Sequence, residues 1–125
     1  SADMRTVLRD AAAGSAPAAL GLDVYIHRLR AGIASMAAAL DGLDVLVFTG
    51  GVGEHAPAVR RRAADGLGFL GVLINDATNQ RTHGDAEISA AGAAVRTLVL
   101  TAREDVEMAR QARGVLTGGA SGPRA

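Results

Sequence analysis

The chain has 125 residues, 49% of them hydrophobic, and a mean hydropathy of +0.20, which fits one small globular domain rather than a disordered segment. Thirteen basic and thirteen acidic residues cancel, so no field of one sign exists to hold nucleic acid or an anionic membrane. Every basic residue is arginine and cysteine is absent, which excludes a Walker A lysine, a Schiff-base lysine, a thiolate nucleophile, disulfides and a cysteine zinc site.

In chain order, Asp3 is the expected N-cap of a first helix that carries Met4, Val7, Leu8 and Ala11 on one face and stops at Gly14. A helix this close to the first residue, with no strand before it to cover, suggests a fragment of a longer protein. Pro17 lies near a second helix start, and Leu22, Ile26, Leu29, Ile33, Met36 and Leu40 form an apolar stripe that ends at Asp41-Gly42. Val45-Leu46-Val47-Phe48 reads as a strand buried on both faces, and residues 49–54 as a glycine turn. Pro57 opens another helix, with Val59, Ala63 and Leu67 spaced by four. Residues 72–74 read as a second strand, 75–94 as a long loop or irregular hairpin, and 95–100 as a third strand. A last helix is predicted from Glu104 to about Gly114, before a disordered tail over residues 115–125. Alternation of this kind predicts an α/β layer structure.

Tyr25, Phe48 and Phe69 are the few rings, so the core is expected to be aliphatic and alanine-rich, with no stacking platform for single-stranded nucleic acid. No apolar run approaches the ~20 residues of a membrane span, and no signal-peptide pattern opens the chain. The expectation is a cytoplasmic protein.

The segment DVLVFTGGVGEHAPAVRRR, residues 44–62, carries the most chemistry. A strand runs into Gly50, Gly51 and Gly53, and a helix follows. Glycines let backbone N–H groups approach a ligand without a Cβ between, and a helix N-terminus suits an anion such as phosphate. The plainer reading is a tight strand-to-helix turn that needs glycine for sterics. A rival ligand also stands: residues 51–56 fit the dinucleotide pattern G-x-G-x-x-A, with Asp76 near the place of a ribose-binding acid.

The segments SADMR, LDVYIHRL, GLDVLVFTGGVGEHAPAVR, GLGFLGV, GDAEIS and REDVEMAR occur in an order and spacing that closely resembles the C-terminal part of acetate kinases. The resemblance covers about residues 2–114. It implies the nucleotide-binding part of a ribonuclease-H-like, actin/Hsp70/sugar-kinase-type ATPase domain. It also implies magnesium-dependent, reversible phosphoryl transfer between ATP and acetate, giving ADP and acetyl phosphate. A Rossmann-type dinucleotide module and a non-catalytic dimerisation domain are the alternatives.

Carried over by this resemblance, Asp3, Met4, Arg5, Gly51, Val52, Gly53, Glu54 and His55 face the nucleotide, and Glu104 is associated with magnesium. His55 departs from the family's usual asparagine, so only a backbone contact carries over there. Asp3 also suits a plain N-cap, Arg5 a solvated helix position, and Glu104 a first-turn acid favoured by the helix dipole. His27, His55 and His83 lack the spacing of a metal site, and Arg60, Arg61 and Arg62 read as a solvated, partly ion-paired face. The family's catalytic Asp, its transition-state His and Arg and its acetate pocket match no motif in these residues. The chain by itself is therefore expected to be inactive, and the full-length family to form homodimers.

Overall fold

The structure is a computed structural model that describes residues 3–102 and 105–121. It divides into two compact units, Ser1–Gly42 and Leu43–Ala125.

The first unit is a helix pair. Helix α1 (Met4–Ala12) is N-capped by Asp3, and α2 (Ala16–Ala39) by Ser15, whose Oγ accepts from the Ala18 N–H at 3.2 Å. The turn between them is tight because Gly14, at φ 99°, lets the Ser15 N–H reach back to the Asp10 carbonyl at 2.9 Å. α1 packs against α2. The stripe on α2 holds at Leu22 and Ile26, but Met36 and Leu40 stay 61% and 66% exposed. Ala37 takes the buried place instead. α2 ends as its sequence predicts, with Asp41 left-handed at φ 58° and the Gly42 N–H bonded to the Ala37 carbonyl at 2.9 Å.

The second unit is built on a three-stranded sheet. Strand β1 (Val45–Phe48) runs parallel to β3 (Arg96–Val99), with Phe48 opposite Val99, and β2 (Ala86–Glu87) runs antiparallel on the far side of β3. β3 is central, and Thr97, Leu98 and Val99 are buried along it. β1 is not buried on both faces as expected: as the outer strand of this sheet it alternates, with Leu46 and Phe48 inside and Val47 turned outward. After β1 come α3 (Gly50–His55), α4 (Pro57–Asp65), a 3-10 turn (Gly68–Leu70) and α5 (Asp76–Arg81). Val59, Ala63, Leu67, Val72, Ile88, Val95 and Leu100 fill an aliphatic core against the sheet.

Three expectations are corrected here. Residues 72–74 form no strand: Val72 and Ile74 make isolated bridges to Val95 and Ser89, caught between a left-handed Gly71 and the helix cap at Asn75. Residues 75–94 are no long loop, because Asn75 Oδ1 accepts the Thr78 N–H at 3.0 Å and starts α5, and β2 follows. Helix α6 (Asp105–Ser121) continues past Gly114 into the stretch expected to be disordered, with the Thr117 hydroxyl satisfied by the Arg113 carbonyl at 2.7 Å. Among the described residues, no helix is long and apolar enough to cross a membrane.

Candidate functional site

The glycine segment is not a turn. Thr49 is extended and α3 begins at once with Gly50, so the chain passes from β1 to a helix within one residue. The three glycines serve different ends. Gly50 alone of them is left-handed, at φ 72°, and turns the chain. Gly53 is where α3 folds back on β1: a Cβ there would stand 3.2 Å from the Phe48 carbonyl carbon. A Cβ on Gly51 would meet nothing within 4 Å, so its backbone is open. The Thr49 side chain makes no capping bond, which leaves the first-turn N–H groups of α3 uncovered by it. This geometry also removes the dinucleotide fingerprint. Gly51, Val52 and Gly53 are helical rather than a phosphate turn, and Asp76 opens α5 instead of ending a parallel strand.

The arginine run is corrected most sharply. Arg60 is completely buried. Its Nε donates to Asn79 Oδ1 at 2.7 Å, one terminal nitrogen donates to the Asn79 carbonyl at 2.9 Å, and the other donates to the carbonyls of Gly53 and Glu54, both at 2.9 Å. Burial holds the guanidinium below its ordinary pKa. Arg61 keeps the expected character, with loose contacts of 3.8 Å to Asp65 and to Asp76. The signal for Arg60 is legible in helical spacing, since Ala56, Arg60, Ala63, Ala64 and Leu67 share one apolar face.

Glu54 turns its carboxylate to the protein: Oε2 accepts the Ala102 N–H at 2.9 Å, and the side chain is only 14% exposed. His55 beside it is 75% exposed, with Nε2 3.8 Å from Glu54 Oε1. Glu54 and His55 line a cleft of about 220 Å³ with Thr82, His83, Val99 and Thr101. The cleft lies at the carboxyl ends of the parallel strands β1 and β3, where open α/β sheets bind ligands. Sequence spacing separated His55 from His83; the fold puts both on this cleft. The chain leaving β3 is braced by Asp85, whose Oδ1 accepts the Thr101 N–H at 2.8 Å, and by Gln111, which bonds to both residues.

Asp3 and Arg5 lie in the first unit, exposed and paired at 3.1 Å, with the Arg5 N–H also bonded to Asp3 Oδ1 at 3.0 Å. The pairing holds the Asp3 carboxyl below its usual range and raises Arg5. Met4 opens α1 and is half-buried. Glu104, the expected magnesium residue, lies outside the described residues. Among those described, no three His, Asp or Glu residues form a cluster able to hold a metal ion.

The Acetokinase family profile matches residues 1–110. The chain belongs to the acetokinase family. It is 50% identical over 109 residues to the acetate kinase of Gloeobacter violaceus, a match that covers 87% of this chain and 27% of that protein. The crystal structure of Porphyromonas gingivalis acetate kinase superposes with a TM-score of 0.77 at 30% identity, covering 91% of this chain and 29% of that one. A propionate kinase from Francisella tularensis superposes at 0.74 and 31% identity, covering 87% of this chain and 28% of that one. The chain thus spans about a quarter to a third of the length of these relatives. Its fold is the α/β, ribonuclease-H-like fold of the actin, Hsp70 and sugar-kinase type that acetokinases share.

Proposed function

We propose that this chain supplies the nucleotide side of an acetate kinase, which transfers a phosphoryl group reversibly between ATP and acetate. The observation that carries the reading is the start of α3. An open Gly51 backbone and first-turn N–H groups that Thr49 leaves uncapped stand at the carboxyl end of β1 in an acetokinase-family chain. Oriented N–H groups suit phosphate oxygens, and an absent Cβ at residue 51 lets them approach.

Gly51, Val52 and Gly53 serve in this reading through their backbone, and His55 through its backbone alone. Glu54 contributes differently from a direct ligand: its carboxylate holds the Ala102 N–H. For Asp3, Met4 and Arg5 a nucleotide contact rests on family membership alone. Magnesium would draw on Glu104, with water and phosphate oxygens filling its shell, and would offset phosphate charge.

The match covers 27% of the Gloeobacter violaceus enzyme, and the 125 residues by themselves are expected to turn over no acetyl phosphate, since phosphoryl transfer needs groups on both sides of the phosphate. In the complete enzyme, pairing of two subunits would use the exposed Leu20 and Met36 of α2 and its C-cap residue Leu40. Calorimetry with ADP, and with a nicotinamide dinucleotide as the rival ligand, each with and without magnesium, tests the reading. ADP binding that magnesium strengthens is the expected result. Binding of the dinucleotide in preference to ADP sinks it.

A further inference from the structure

We infer that Arg60 is a positioning residue for nucleotide binding, fixing the backbone of Gly53 and Glu54 in the segment assigned to the nucleotide; this rests on the nucleotide reading above. A buried cation is costly unless hydrogen-bonded, and the four bonds given above all go to uncharged oxygens: three backbone carbonyls and one side-chain amide. An aliphatic side chain would fill the same space without that cost. What the guanidinium adds is a grip on the last carbonyls of α3, where the helix is partially negative.

α3 needs such a grip. Six residues are too few for a helix to hold itself, and Gly50, Gly51 and Gly53 lower its propensity further. The other end of the clamp is itself fixed: Asn79 is fully buried, and its Nδ2 donates to the Pro57 carbonyl at 2.9 Å and to Asp76 Oδ1 at 3.2 Å. Arg60 therefore joins α3 to α4 and α5 through one planar group. Lysine cannot replace it, because a single ammonium cannot span carbonyls on α3 and the Asn79 side chain together.

The test compares Arg60→Lys, Asn79→Ala and the exposed control Arg61→Lys for ADP affinity, thermal melting and amide exchange within α3. Arg60→Lys is expected to lower ADP affinity about tenfold, one ~1.4 kcal/mol step, and to speed exchange in α3 ahead of the core. Asn79→Ala, which keeps the bonds to Gly53 and Glu54 but frees Nε, should give a smaller loss in the same direction; Arg61→Lys should give none. A purely structural role would lower melting and loosen all amides together while leaving the affinity of the folded protein unchanged. Wild-type ADP affinity in folded Arg60→Lys overturns the inference. Should that variant not fold, wild-type affinity in Asn79→Ala overturns it instead. A wild-type chain that binds no ADP removes the nucleotide reading and this inference with it, a result distinct from either variant outcome.

Discussion

The Phe48 carbonyl carbon lies 3.2 Å from the position a Cβ on Gly53 would take. That close approach marks where α3 meets the end of β1, and it separates Gly53 from Gly51, where a Cβ would meet nothing within 4 Å. Gly53→Val is expected to destabilise the fold by overpacking, at a cost of about 1–3 kcal/mol, visible as a lower urea midpoint. Any loss of nucleotide binding in that variant would then report a displaced α3 as well as a blocked phosphate.

Gly51→Ala is the cleaner probe of the ligand. Its backbone is helical with no Cβ clash, so the substitution should be neutral or stabilise by about 0.4–1 kcal/mol. ADP affinity should nevertheless fall, because the new methyl group occupies the approach to the N–H groups. A stable Gly51→Ala chain with undiminished ADP affinity would count against phosphate binding at this helix start.

Magnesium dependence divides differently. Glu104→Ala should abolish the gain in ATP affinity on adding magnesium, while metal-free binding through N–H groups persists. Titrations in magnesium and in chelator read both quantities, and a retained magnesium gain in the variant removes Glu104 from the metal site.

The N-cap of α1 should fail only in strong acid. Arg5 holds the Asp3 pKa below the ordinary aspartate value, so the folded state binds fewer protons than the unfolded one. The contribution is therefore complete above that ordinary value and fades as pH falls through the lowered one. Amide shifts of Arg5 and Thr6 followed by NMR should move in that acid window, and in Asp3→Asn, which keeps a capping oxygen, they should not. Equal movement in both chains would show that another group is being read.

Glu87 and Arg96 form a bidentate pair across β2 and β3, at 2.6 and 3.0 Å, and Glu87 also accepts the Ser89 hydroxyl at 3.1 Å. The pairing raises the Arg96 pKa further above any working pH, so no pH dependence arises from Arg96. Glu87→Ala should cost about 1.5–3 kcal/mol in urea unfolding, the range for charge-assisted bonds. Replacing both residues by methionine should recover part of that loss, since neither charge is then left unpaired. An unchanged urea midpoint in Glu87→Ala would show the pair to be idle.

Local chemistry was legible in the sequence alone. Asp3 as a cap, Gly14 as a stop, Asp41-Gly42 as the end of α2, and β1 and β3 as strands all follow from residues interacting with near neighbours. The family motifs around residues 44–62 were legible for the same reason: they are contiguous. What required the tertiary structure was every decision made by distant partners. Arg60 is a buried clamp because Asn79, nineteen residues on, meets it, and Glu54 faces inward because Ala102, forty-eight residues on, takes its carboxylate. His55 and His83, which follow β1 and precede β2, share a cleft in a sheet where both strands pair with β3. Backbone preferences act over a turn or two of chain, whereas the burial of a charge is settled by whichever acceptors the fold delivers to it.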